Sequence, residues 1–330
     1  MSGNSQFTIH NSQLKKTEKT EKTEKNDLDL SVEIAGVKFK NPVFTASGTC
    51  GYGREYLPYY SLSAIGAITT KGVCLNPKEG NKTPRVAETP GGMLNAIGLE
   101  NPGVKYFIEN ELPNIKKYDT KIIANIFGAN IQEYCEVAEI LSDTDVDMLE
   151  LNISCPNVKE GGIYFGTNPQ MAEEVTKAVK KRAKKPVSVK LSPNVTDITE
   201  MAKAVENGGA DCISMINTLV GMKIDIKTKR PVLHNNIGGL SGAAIKPVAV
   251  RMIWQARNAV KLPIIGMGGI KNGGDAVELM LAGADAVAVG TASFNDPRTV
   301  LKVIDGISGY MLDNNIKSVR EITGALKVWQ

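Results

Sequence analysis

Residues 148–157 read MLELNISCPN and residues 187–191 read VSVKL. In both stretches aliphatic side chains alternate with polar ones. Leu149, Leu151 and Ile153 share one face of an extended chain and Glu150 and Asn152 the other, while Val187, Val189 and Leu191 oppose Ser188 and Lys190. Working outward, six more short aliphatic runs appear, at 43–46, 67–70, 122–126, 212–216, 264–267 and 286–289, each followed by a polar or glycine-rich stretch. Segments of helical period lie between them. Ile131, Tyr134, Cys135, Ala138 and Leu141 form one stripe, and Met171, Val175, Ala178 and Val179 another, with Arg182 at its polar edge. The phrase Gly-Ala-Asp occurs at 209–211 and again at 283–285, each time closing a helical segment and leading into a strand. Eight strands joined by helical crossovers predict an α/β fold, a closed (β/α)₈ TIM barrel with inserted active-site loops. An open doubly wound sheet, which would use fewer strands and a topological switch, is the alternative. A short N-terminal β-hairpin is expected ahead of the barrel, from 30–34 and 37–39 around Ala35-Gly36.

The chain has 330 residues, 42% hydrophobic, 22% charged and only 5% aromatic, which suits one large aliphatic domain over residues 27–330. Residues 1–26 are different. Their TEKTEKTEK repeat has no apolar face and is expected to be a disordered charged tail, neither secretory signal nor membrane anchor, in a cytoplasmic protein. The formal net charge is +4, and the tail's five lysines and three glutamates supply part of it, so the rest of the chain offers no nucleic-acid surface. Five cysteines, Cys50, Cys74, Cys135, Cys155 and Cys212, are widely spaced and never form CxxC, which argues against a disulfide framework, a zinc site or an iron–sulfur cluster held by this chain; no metal is expected. Histidine is nearly missing, with His10 in the tail and His234 alone beyond it, so a Ser-His-Asp triad or a histidine metal site is excluded.

In a closed barrel, chemistry collects at the carboxyl ends of the strands. Those ends read Ala46-Ser47-Gly48, Lys71-Gly72, Asn125, Asn152 with Ser154-Cys155-Pro156-Asn157, Lys190, Asn217-Thr218, Gly268-Gly269 and Gly290-Thr291. A lysine near a strand end is ordinarily solvated, but parity turns Lys190 toward the barrel axis, where it needs an anionic partner; a reduced flavin ring would be one. Asn95, Asn125, Asn152 and Asn217 each offer donors and an acceptor, which suits the edges of a planar pyrimidine imide. The glycine turns after the seventh and eighth strands suit a phosphate, without separating a flavin nucleotide from a sugar phosphate. With histidine absent, the candidate base is Cys155. It lies on a loop rather than in a helix or strand, and a thiol pKa of about 8.5 leaves some thiolate at neutral pH. Cys135, on a helical stripe, and Cys212, inside a strand, read as small buried hydrophobes. The glycine pair Gly161-Gly162 after Cys155 is a candidate hinge for a lid.

The motifs NAIGLENPG (95–103), LNISCPNVKEGG (151–162), SVKLSPN (188–194), INT (216–218) and GMGGI (266–270) together resemble dihydroorotate dehydrogenases, over a span from about residue 29 onward. The resemblance implies one FMN per chain, oxidation of dihydroorotate to orotate, and a place in de novo pyrimidine (UMP) biosynthesis. It implies FMN contacts from Ser47, Lys71, Gly72, Asn125, Asn152, Lys190, Ile216, Gly242, Gly268, Gly269, Gly290 and Thr291. Substrate contacts would come from Lys71, Asn95, Ala96, Ile97, Gly98, Leu99, Asn152, Asn217 and Thr218, and Cys155 would be the base, taking a proton from C5 while C6 passes a hydride to FMN. A cysteine where the membrane-bound class has serine points to the soluble class 1. The loop sequences look most like the NAD-linked class 1B, whose catalytic subunit works with a partner carrying FAD and a [2Fe–2S] cluster. The expected assembly is a homodimer within a heterotetramer. No GxGxxG fingerprint occurs in this chain, so NAD would act on the partner.

The rivals are a fumarate-dependent class 1A homodimer, a flavin-free barrel isomerase or lyase of a phosphorylated metabolite, and a non-catalytic barrel that only docks a partner. The isomerase accounts for the glycine turns but not for NISCPN, the inward lysine or the set of asparagines.

Overall fold

The computed structural model describes residues 27–154 and 162–329. The eight aliphatic runs form eight parallel strands: Val43–Thr45, Ala67–Thr69, Lys121–Ile126, Met148–Asn152, Val187–Lys190, Cys212–Met215, Ile264–Met267 and Ala286–Val289. Each pairs with its successor, and the eighth returns to the first through Val287↔Val43, Ala288↔Phe44 and Val289↔Thr45, which closes the barrel. An open sheet is thereby excluded. Several expected runs end one residue early, although Ala46, Thr70, Leu191 and Ile216 each still donate a backbone N–H to the neighbouring strand, at Val289, Ile123, Ser214 and Met267 O.

One device recurs at the amino ends of the strands. The carboxylates of Asp147, Asp211 and Asp285, each just ahead of an even-numbered strand, accept a hydrogen bond from a backbone N–H at the start of the strand before: Ile122 at 2.9 Å, Val187 at 2.7 Å and Ile264 at 2.7 Å. Each carboxylate also pairs with a cation, Lys121, Lys180 and Arg257 respectively. A backbone donor that the parallel ladder leaves over is thus satisfied, and neighbouring strands are fixed in register. Two of the three aspartates belong to the repeated Gly-Ala-Asp. Their glycines, Gly209 and Gly283, have φ of 89° and 126°, the left-handed conformation that ends the preceding helix.

Four of the crossover helices begin with the residue types that physics favours at an amino end. Asn130, Asn168, Asp197 and Asn272 cap Ile131–Ser142, Pro169–Lys180, Ile198–Asn207 and Gly273–Leu281, with side-chain oxygens accepting from Glu133, Met171, Thr199 and Asp275 N–H. The stripe residues Tyr134, Cys135, Ala138 and Leu141 are buried, as are Val175 and Val179. Arg182 stays at the surface and pairs with Glu139.

The hairpin Val32–Ile34 with Val37–Phe39 forms as expected around Ala35 and Gly36, whose φ values of 52° and 79° make the turn. It precedes the first strand, and buried Phe39 packs on Phe44 with ring centroids 4.7 Å apart. At the opposite, carboxyl end, insertions after the second and sixth strands meet in an antiparallel sheet ordered Leu219–Met222, Ile237–Ser241, Gly92–Asn95, Val86–Thr89. Ala87, Leu94, Ala96 and Leu233 give this sheet a small core of its own. Inserted loops were expected there; that they join into one sheet was not, because pairing between segments some 140 residues apart leaves no local trace in the sequence. Among the described residues no helix is long and apolar enough to cross a membrane.

Candidate active site

A cavity of about 1020 Å³ opens at the carboxyl ends of the strands, beneath the inserted sheet. Strand parity delivers its floor. Asn125, Asn152 and Lys190, at or next to the ends of the third, fourth and fifth strands, face the barrel axis, at 1%, 6% and 4% exposure. Ser47, Lys71, Gly72, Ile216, Gly242, Gly268, Gly269, Gly290 and Thr291, all expected around FMN, line the same cavity. Of the residues expected at the substrate, Lys71, Asn95, Ile97, Gly98, Leu99, Asn152, Asn217 and Thr218 also line it. Ala96 does not: alternation along the chain turns Asn95 and Ile97 to the cavity and sends the Ala96 methyl into the small sheet core. Cys155 and the Gly161 end of the candidate hinge lie outside the described residues.

The Lys190 ammonium donates to Ser47 Oγ at 2.9 Å and stands 3.7 Å from Glu150 Oε1. The anionic partner that the sequence reading sought in a flavin is therefore already supplied, at least in part, by the protein. Glu150 is 1% exposed and also accepts from Asn125 Nδ2 and Ser214 Oγ, both at 2.6 Å. Alternation had set it on the face of Asn152, but gave it no partner. Ser241, which lines the cavity and accepts from Thr291 Oγ1 at 2.8 Å, carried no such signal, since it reaches the site only through the long-range sheet.

Lys71 is partly buried at the cavity wall. Burial lowers its pKa below the ordinary lysine value, and the Glu100 carboxylate pulls the other way. The four described cysteines are all buried, and burial raises every one of these thiols, Cys50 and Cys212 to about 12. None of them is a base at neutral pH. Among the described residues no group of histidine, cysteine, aspartate and glutamate could hold a metal ion. His234 is exposed and does not line the cavity.

The donor set has a definite chemical character. The ammonium groups of Lys71 and Lys190, the amides of Asn95, Asn125, Asn152 and Asn217 and the hydroxyls of Ser47, Ser241 and Thr291 converge on one space, and the walls include Met267, Ile216 and Ile245. Close approach is built into the wall at Gly72, where a β-carbon would stand 2.6 Å from Asn125 Oδ1. At Gly268 and Gly269, φ of 125° and 79° turns the backbone across the floor. A planar, polar-edged ring with an anionic tail fits this arrangement.

The family model for dihydroorotate dehydrogenase matches residues 29–311. The chain belongs to the dihydroorotate dehydrogenase family. It is accordingly an oxidoreductase. The chain is 61% identical over 299 residues to the catalytic subunit of dihydroorotate dehydrogenase B (NAD(+)) of Alkaliphilus metalliredigens, covering 91% of this chain and 99% of that protein. The proteins of the same description from Alkaliphilus oremlandii and Thermoanaerobacter pseudethanolicus are 59% and 55% identical, over 90% and 91% of this chain and 99% and 100% of theirs.

Proposed function

We propose that this dihydroorotate dehydrogenase is the NAD-linked catalytic subunit, a cytoplasmic enzyme that oxidises dihydroorotate to orotate in pyrimidine synthesis. The observation that carries the reading is the convergence of Lys71, Lys190, Asn125, Asn152 and Asn217 on a single cavity at the barrel mouth. Flavin mononucleotide, when bound, supplies the acceptor for the hydride leaving C6 of the substrate. Gly268, Gly269, Gly290, Thr291 and Gly242 would hold its phosphate end, and Ser47, Lys71, Gly72, Asn125, Asn152, Lys190 and Ile216 its ring. Lys190 sets a buried positive charge where negative charge develops during the reaction. Asn95, Asn152, Asn217, Thr218, Lys71 and the 96–99 loop would orient dihydroorotate, fixing the pyrimidine ring by its amide edges and its carboxylate by the ammonium. Cys155 would take the proton from C5, and the high pKa of every described thiol supports assigning that step to it. Electrons would then reach NAD through a partner subunit carrying FAD and a [2Fe–2S] cluster, in a heterotetramer built on a homodimer of this chain.

The test is an acceptor assay with the purified yellow protein. Dihydroorotate is expected to reduce an artificial dye through this chain alone, and NAD only once the partner is added; turnover with fumarate and no partner would instead make it the fumarate-dependent homodimer. Cys155→Ala should bind orotate yet lose about 10²–10⁴-fold in turnover at neutral pH. A colourless protein that takes up no flavin would refute the whole reading.

A further inference from the structure

Glu150 is the deepest charged group of the site region, and it is not among the residues that line the cavity. What it touches gives it a role. An ionised carboxylate only accepts hydrogen bonds, so Asn125, 2.6 Å away, must turn its Nδ2 toward Glu150 Oε1; a flipped amide would set two acceptors against each other. Asn125 Oδ1 is then left to accept from Asn152 Nδ2 at 3.4 Å. Asn152 Oδ1 in turn accepts from Ser154 Oγ at 3.2 Å, Ser154 Oγ from Asn217 Nδ2 at 2.7 Å, and Asn217 Oδ1 from Thr218 N at 2.7 Å. Every bond in this chain runs the same way, with donors pointing back toward the carboxylate. The chain crosses the mouth from the third strand to the segment after the sixth, and Asn125, Asn152, Asn217 and Thr218 all line the cavity.

We propose that Glu150 is a positioning residue: it fixes the donor direction of the chain Asn125, Asn152, Ser154, Asn217 and counterbalances Lys190, and so decides which edge of each amide a bound pyrimidine meets. Two independent contacts hold the carboxylate itself, Ser214 Oγ at 2.6 Å and the Lys190 ammonium at 3.7 Å. An amide at position 150 could donate as well as accept. Asn125 would then have no fixed orientation, and the relay behind it would lose its single direction. Lys190 would also face the ring with its charge unbalanced.

This inference rests on the dihydroorotate reading of the cavity, and the test separates the two. In Glu150→Gln, orotate affinity measured by calorimetry should fall about tenfold or more, the loss expected when a charge-assisted buried hydrogen bond is given up. The midpoint potential of the bound flavin should rise, because an unbalanced ammonium favours the reduced, more negative ring. Glu150→Asp keeps the charge and should bring the potential back toward wild type. A merely structural glutamate would lower the melting temperature and leave the potential and the orotate affinity of the folded fraction unchanged; that result overturns the proposal. If Glu150→Gln does not fold, Ser214→Ala removes one of the carboxylate's anchors with little change in volume and should weaken orotate binding severalfold, and unchanged affinity there is equally fatal. Wild-type protein that binds neither flavin nor orotate would bring down the underlying reading itself.

Discussion

The barrel carries lysine–carboxylate pairs at both ends, and they do different work. At the amino end Lys180 meets Asp211 at 2.5 Å with both side chains roughly a quarter to a third exposed. At the carboxyl end Lys190 meets Glu150 at 3.7 Å with side chains 5% and 2% exposed. Water screens the first pair, so its Coulomb attraction contributes little, and the lasting contribution of Asp211 is the hydrogen bond to Val187 N–H. The second pair has no water to fall back on. Its charges depend on each other and on Asn125, Ser214 and Ser47, and that network continues into the cavity wall. The same two residue types therefore act as a fastener where they are wet and as part of a functional site where they are dry.

The largest expected effect comes from breaking the dry pair. Lys190→Met should destabilise the fold by about 3–5 kcal/mol, since Glu150 is left charged and unpaired in the barrel interior, and flavin affinity should fall with it. Replacing both charges, with Lys190→Met and Glu150→Leu together, should recover most of that stability in urea melts but not the orotate affinity. Recovery of both would mean the pair serves packing alone. Breaking the wet pair should cost less. Asp211→Ala is expected to lose about 1–2 kcal/mol, mainly from the unsatisfied Val187 N–H, with orotate affinity unchanged by calorimetry. A change in ligand affinity would erase the distinction between the two ends.

The smallest effect concerns Lys71. Its pKa in the folded protein lies below the free lysine value, so it loses its proton earlier as pH rises. Below that lowered pKa the fold carries the full cost of a buried ammonium; the cost is relieved as pH rises, and this residue's contribution to stability increases toward alkaline pH. Ligand binding moves the opposite way. The affinity of the orotate anion should decline as Lys71 deprotonates, starting at a pH below the usual lysine range. Lys71→Gln should flatten that profile in a titration of orotate binding against pH, and an unflattened profile would assign the dependence to another group.

Where the sequence was legible, the reason was local periodicity. Alternation at 148–152 and 187–190 placed Asn152 and Lys190 inward and set Glu150 on the face of Asn152, though spacing gave Glu150 no partner. The aliphatic runs gave the strand count, and the two Gly-Ala-Asp phrases marked where helical segments close into strands. The carboxyl-end glycines and asparagines were readable because barrel topology alone assigns them to one face. Within the 95–99 motif, alternation sends the Ala96 methyl away from the cavity, which leaves that position only its backbone to offer a ligand.

By itself, then, the chain's order of residues determined the barrel, the polar composition of its mouth and the inward lysine, because each follows from period-two or helical spacing within a few residues. Only the folded structure decided that Ser241 and Ser214 join that site, what Glu150 bonds to there, that two distant insertions pair over it, and which way each asparagine amide points. Those outcomes depend on groups far apart in sequence meeting at hydrogen-bonding distance, and on one buried carboxylate that can accept but not donate.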